Sequence, residues 1–288
     1  MTTITFKDQD EFERKPKAEK IIKLLTSGIE DISPLIIDGG WGIGKTVFCE
    51  KLIDLFKKQE PEYQIIYIDA FKADHANDPL MTLLAGIINL LPDDNKEPFI
   101  KKLVPALKFM GKSAGKAALS WGLQQEFSDI ADGFEKDVKK AGDAMVDYAT
   151  EALLKNHVEA EKSIKILQEY LEELGKDKPI ILFVDELDRC RPDFAISMLE
   201  NIKHIFNVQG VQFVLVMNKK QLIKSVGYCY GIGDDEALIY LNKFIGFTLS
   251  LLNTIENSSE KRRANLEYFS LLIEEINISN QISSKKII

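Results

Sequence analysis

The chain has 288 residues, of which 45% are hydrophobic and 28% charged, and a formal net charge of -8. It is long enough for one large domain or two modest ones, with the composition of an ordinary globular protein. The acidic balance argues against a general nucleic-acid binder, which neutralises phosphates with Lys and Arg, and no sequence-specific nucleic-acid partner is expected.

Cys49, Cys190 and Cys229 are scattered, as are His75, His157 and His204. Neither a disulfide framework nor a zinc cage is indicated, and the thiols read as reduced, in a cytosolic compartment. The N-terminal stretch holds no apolar signal core, and no run of 18 apolar residues occurs. A cytoplasmic α/β protein is the expectation.

The first strand signal is "PLIID" (34–38), followed by helical spacing in Phe48, Leu52, Leu55 and Phe56. "QIIYIDA" (64–70) is the second strand. A helix then starts near Asp78 as cap and Pro79 in its first turn, with Leu80, Leu83, Leu84, Ile87 and Leu91 as its stripe. From 92 to 160 no strand pattern occurs, an interval too long for a bare crossover, and a helical insertion is expected. Lys108, Lys112 and Lys116 recur there every four residues on one helix face. That face reads as solvated, or as a contact with an anionic membrane surface or a partner.

Ile164, Leu167, Leu171 and Leu174 form the next stripe, ended by Gly175. "PIILFVDE" (179–186) is the third strand, and Ile196, Leu199, Ile202 and Phe206 mark a further helix. "VQFVLVMN" (211–218) and "FIGFTLSLL" (244–252) complete the series. The first four strands are almost continuously apolar, as in strands covered on both faces. Strands alternating with helices imply an α/β fold with an open parallel sheet. The expected division is a core in two parts, 1–91 and 161–254, the insertion 92–160, and a short C-terminal helical region, 255–288.

Between the first strand and its helix stand Gly39, Gly40, Trp41, Gly42, Ile43, Gly44, Lys45, Thr46 and Val47. Gly39, Gly44, Lys45 and Thr46 follow the order G-x-x-x-x-G-K-T, the Walker A pattern, between the required strand and helix. Glycines let successive N–H groups turn inward as an anion nest, and the helix start directs its dipole to the same point. Lys45 then reaches the β- and γ-phosphates, and the Thr46 hydroxyl sits on Mg²⁺. ATP and Mg²⁺ are the expected cofactors.

A second carboxylate for the metal comes from "IILFVDELDRCRP", where an apolar strand feeds Asp185. Glu186 follows, placed to orient an attacking water. Asn218, at the tip of the next strand, has an amide that can sense the γ-phosphate; the alternative is a simple strand-ending Asn before a helix. "NKKQ" (218–221) approaches a guanine-reading motif, but Gln221 replaces its aspartate, so GTP specificity has no support. Arg189 and Arg191 are candidate fingers for a neighbouring site, the alternative being Arg189 paired with a nearby carboxylate such as Asp188.

With "VDELDRCRPDFAISMLENIKHIF" in view, the chain resembles the KAP family of P-loop NTPases. The matching residues are Asp185, Glu186, Asp188, Arg189 and Pro192. "DAFKADHANDPL", "DEFERKPKAEKIIKLL" and "YLNKFIGFTLSL" agree with other family segments. The resemblance implies a five-stranded, mainly parallel sheet in the order 5-1-4-3-2, with a helical insertion between the Walker motifs. It also implies ATP hydrolysis tied to assembly or remodelling of protein complexes, in phage exclusion or at the inner face of a membrane, with Arg14 near the adenine. The partner is an unidentified protein or further copies of the chain. Two departures are visible: Gln281 stands near the place of a usual basic residue, and Asn218 where Asp is frequent. They favour the alternative of a nucleotide-gated interaction module with little hydrolysis. A small-molecule kinase would need an acceptor pocket and a lid arginine, and the sequence indicates neither.

Overall fold

The computed structural model describes residues 5–8, 10, 12–28, 32–76, 79–89, 165, 167–205, 208–251, 254–255 and 262–263. The expected insertion, with Lys108, Lys112 and Lys116, lies outside them, as do Asp78, Leu91, Phe206 and Gln281.

Helix α1 (Lys15–Leu25) begins where Asp10 folds back on it. The Asp10 carboxylate accepts from the Arg14 N–H at 2.8 Å and the Lys15 N–H at 3.1 Å, satisfying amides that a helix start leaves unpaired. Ala18, Ile21, Ile22 and Leu25, spaced three and four apart, form its buried face. Strand β1 (Leu35–Asp38), helix α2 (Lys45–Gln59) and strand β2 (Gln64–Asp69) follow. A short helix α3 (Ala70–Ala73) is capped by Asp69, and α4 (Pro79–Ile88) opens on the expected proline. After residue 164 come helix α5 over 167–177, β3 (Ile180–Asp185), α6 (Pro192–Ile205) and β4 (Val211–Met217). Helices α7 (Lys219–Tyr230) and α8 (Asp234–Leu241) and strand β5 (Phe247–Ser250) complete the core.

The sheet runs β2-β3-β4-β1-β5, with every pairing parallel. This is the order that the family resemblance implied. Alternation along each strand divides the core. Leu35, Ile37, Ile181, Phe183, Val214 and Val216 pack with α1 and α2 on one face. Ile36, Leu182, Val184, Phe213 and Leu215 pack with α4, α5 and α6 on the other. That is why β3 is buried at every position and shows no polar alternation. The register sets Asp38 beside Met217 and Asp69 beside Asp185, so the loops after β1, β2, β3 and β4 share one edge. Open parallel sheets bind ligands at that edge.

One expectation is corrected. Gly175 does not stop α5, which continues to 177. Its role is close approach: a Cβ there would lie 3.0 Å from the Gln209 carbonyl oxygen. The opposing Gly210 has φ +79°, and a Cβ on it would come within 2.7 Å of the Gly175 carbonyl oxygen. Of the C-terminal region, 255–288, the described residues belong to a strand pair, β6 (Thr254–Ile255) antiparallel to β7 (Arg262–Arg263). The β-branched Thr254 and Ile255 favour extended backbone. Among the described residues no helix is long and apolar enough to cross a membrane.

Candidate functional site

The glycine loop leaves β1 at Asp38 and turns into α2. Gly42 and Gly44 adopt φ of +76° and +80°, where an L side chain is strained, which explains glycine at those places. Gly39 answers a different need: a Cβ there would meet the Ile43 side chain at 2.9 Å. Gly44 is the N-cap of α2 and supplies no side-chain cap, so the first-turn amides stay available to an anion. The Lys45 side chain is buried, and its Nζ donates to the Gly40 carbonyl at 3.2 Å, across the base of the loop. The loop is also held from outside. Arg14, buried at the head of α1, donates from Nη1 to the Ile43 carbonyl at 2.8 Å, and its guanidinium lies 4.7 Å from the Phe12 ring centroid.

The second segment approaches from β3. Asp185 is fully buried at the strand end. Its Oδ1 accepts from the Glu186 N–H at 2.7 Å and its Oδ2 from the Tyr67 hydroxyl at 3.1 Å. The Thr46 side chain also lies close enough to act on this carboxylate. Burial pushes the Asp185 carboxyl up to about 6, against the lowering pull of the hydrogen bonds from Thr46, Glu186 and Tyr67. Burial and the nearby Asp185 charge in turn raise the Tyr67 hydroxyl, which stays a neutral donor.

Glu186 is one of two non-glycine residues with positive φ among those described, at +62°. Such backbone costs of order 1 kcal/mol or more and persists where the surroundings fix it. Here its Oε1 accepts from the Thr46 hydroxyl at 3.3 Å and pairs with Arg189 Nη1 at 3.1 Å. Arg189 therefore pairs with Glu186 and not with Asp188. The 3-10 turn Leu187–Arg189 explains it, since three residues make one turn and place positions 186 and 189 on one side. Arg191 is engaged by Asp74: Nε to Oδ1 at 3.1 Å, Nη2 to the carbonyl at 3.0 Å, and its own N–H to Oδ2 at 3.2 Å. Asp188 Oδ2 accepts from the Trp41 indole N–H at 2.8 Å, a direct tie from the turn to the glycine loop.

Asn218 caps α7, its Oδ1 accepting from the Gln221 N–H at 3.4 Å. The next amide, Lys219 N–H, donates to Asp38 Oδ1 at 2.8 Å and ties the β4 tip to the start of the glycine loop.

The structure thus brings Lys45, Thr46, Asp185 and Glu186 together, with Asp188 and Arg189 beside them. Asn218 stands on the neighbouring strand tip, and Arg191 is occupied by Asp74. Sequence reasoning missed Tyr67 and the loop clamp by Arg14. A lone hydroxyl in the apolar "IIYID" was the only signal for Tyr67; nothing in "DEFER" announced which carbonyl Arg14 would take.

Known proteins share parts of this chain. A 77-residue stretch is 35% identical to the uncharacterized protein MJ0182 of Methanocaldococcus jannaschii, covering 24% of this chain and 40% of that one. The chain thus spans about two fifths of the length of that relative. The model of the KAP family P-loop domain matches residues 14–283, from the clamp arginine through both arms of the site. On that match, together with the sheet order and the glycine loop, the chain belongs to the KAP family of P-loop domains, a family of nucleotide-binding NTPase folds.

Proposed function

We propose that the protein is an ATP-binding, Mg²⁺-dependent NTPase that hydrolyses ATP and couples turnover to a conformational change or to assembly of a protein complex. One observation carries the reading: the Thr46 hydroxyl bonds Glu186 and lies near Asp185, beside a glycine loop with a buried lysine. A buried carboxyl raised by desolvation is a group that gains from a bound cation. Among the described residues no three His, Cys, Asp or Glu side chains form a protein-only metal cage. That suits magnesium, which takes one or two protein oxygens and completes its shell with phosphate and water.

In this reading the loop amides and Lys45 bind the phosphates, and Thr46 and Asp185 hold the metal, with Tyr67 fixing the Asp185 carboxylate. Mg²⁺, when bound, would neutralise charge developing on the phosphate oxygens. Glu186 orients the attacking water and takes up its proton. The Asn218 oxygen serves the helix cap, which leaves its NH₂ as the donor toward a terminal phosphate. Arg189 and Arg191, both paired within the chain, serve the site's structure. For location the reading keeps the cytoplasm, with peripheral contact at the inner membrane face through the lysines of the insertion.

A second reading, ATP binding with little cleavage, is favoured by the ion pair that engages Glu186. ATP titration with and without Mg²⁺ tests the common part, and phosphate release from the purified chain separates the two. No binding in either condition removes both.

A further inference from the structure

Beside the nucleotide site lies a cleft of about 520 Å³ lined by Trp41, Phe71, Asp188, Arg189, Pro192 and Gln221, among others. Two aromatic side chains are left open to water there, Trp41 at 61% and Phe71 at 42% exposure. Asp188 lines the same cleft yet is only 4% exposed. Its Oδ2 is taken by Trp41, whereas its buried Oδ1 has no hydrogen-bond partner among the described residues. An unbonded buried acceptor costs roughly 1–3 kcal/mol, more when it carries charge. Arg189 does not answer it, because that guanidinium pairs with Glu186.

One ligand chemistry meets all three features. A side-chain cation gains from aromatic faces, brings N–H donors to a carboxylate, and lays an apolar stem on Trp41 and Phe71. The volume lies within the usual span for bound ligands, about 300–1,000 Å³, enough for one long side chain with its flanking backbone.

We propose that this cleft receives an arginine or lysine side chain presented by a partner protein, with its head on Asp188 and its stem against Trp41 and Phe71. The inference deepens the proposed function by giving its partner a chemistry. It rests on that reading for the consequence alone: Trp41 belongs to the phosphate loop and Asp188 follows Glu186 by two residues, so the nucleotide site senses the occupant.

The chain has two tryptophans, Trp41 and Trp121. A Trp121→Phe background makes Trp41 the single tryptophan emitter, and N-acetyl-L-argininamide is the probe, titrated without nucleotide. The expected result is a saturable change in emission that N-acetyl-L-norleucinamide fails to produce. Asp188→Asn weakens probe binding roughly tenfold, and Phe71→Ala, at an exposed position that leaves the core intact, weakens it roughly threefold. No saturable response, or an equal response to the neutral probe, overturns the proposal. Emission that shifts with protein concentration alone, with a rise in molecular mass, seats a second copy in the cleft and also overturns it. ATP titration of the same sample keeps the two ideas separate. ATP binding without an arginine response sinks only the cleft proposal; an arginine response without ATP binding supports the cleft and removes the nucleotide reading.

Discussion

The Arg14 guanidinium and the Ile43 carbonyl, 29 residues apart in sequence, meet at 2.8 Å and fasten the start of α1 to the turn of the phosphate loop. The loop is glycine-rich and loses much backbone entropy when it orders around a ligand. A fixed external donor removes part of that loss before the ligand arrives. Arg14→Ala is expected to lower ATP affinity by roughly tenfold, the effect of about one charged hydrogen bond. Titration with a fluorescent ATP analogue checks it, with far-ultraviolet circular dichroism confirming the fold. Unchanged affinity would show that the loop holds its shape unaided.

Lys45→Ala removes the cation inside the loop and its bond to the Gly40 carbonyl. ATP affinity is expected to fall by roughly a hundredfold or more, as charged hydrogen bonds to phosphate are lost. Calorimetry at saturating Mg²⁺ measures this. An affinity equal to the parent's would remove the assignment of the loop.

Glu186→Gln keeps the size of the side chain and its bond from Thr46 but cannot take a proton. ATP binding is expected to persist, while phosphate release drops by roughly 10²–10⁴. Arg189→Ala on the parent tests the ion pair from the other side. Faster phosphate release would mean that the pair restrains Glu186, and slower release that it positions it. Equal turnover in Glu186→Gln and parent would sink the water-orienting role.

Asp185 gives a pH signature. Its folded value, about 6, lies above the ordinary aspartate value of 3.8, so the folded state binds the extra proton between them. Stability from this group is therefore full below about pH 4 and declines as pH rises through about 6. Asp185→Asn, which has no proton to lose, is expected to flatten that decline, while its NH₂ gives up one of the two acceptors that face Glu186 and Tyr67. Mg²⁺-dependent ATP binding should move the opposite way in the parent, strengthening as pH rises through about 6 and the carboxylate forms. Denaturant melts and ATP titrations between pH 4.5 and 8 check both. A pH-independent difference between the two proteins would contradict the assignment.

The contact between Gly175 and Gly210 supports the site from below, because Gly210 accepts from the Ile180 N–H at the start of β3. Gly210→Ala adds a methyl group where backbone lies 2.7 Å away and φ is positive. A loss of roughly 2–4 kcal/mol is expected, read as a fall in the urea midpoint. Ala at Gly231, also at positive φ but facing open space, is the control for strain without collision. If the two losses match, the collision has been overrated.

The amino-acid order alone determined the strands, their parallel α/β arrangement and the two arms of the site, for a physical reason. Apolar strands buried on both faces, the glycine spacing and the acidic strand end are local signals, each written within about ten residues. Those signals single out Thr46 and Asp185 as candidates without reference to the fold. Local signals fail where two distant side chains must choose each other. Pairing of Arg189 with Glu186, of Arg191 with Asp74, and of Trp41 with Asp188 depends on where backbones lie, and several carboxylates nearby were equally plausible partners. The same holds for Tyr67, whose hydroxyl gained meaning only when register set β2 beside β3. Strand identity is thus a property of the chain, while the partners of its charged groups belong to the tertiary structure, because only folding fixes the distances on which hydrogen bonds depend.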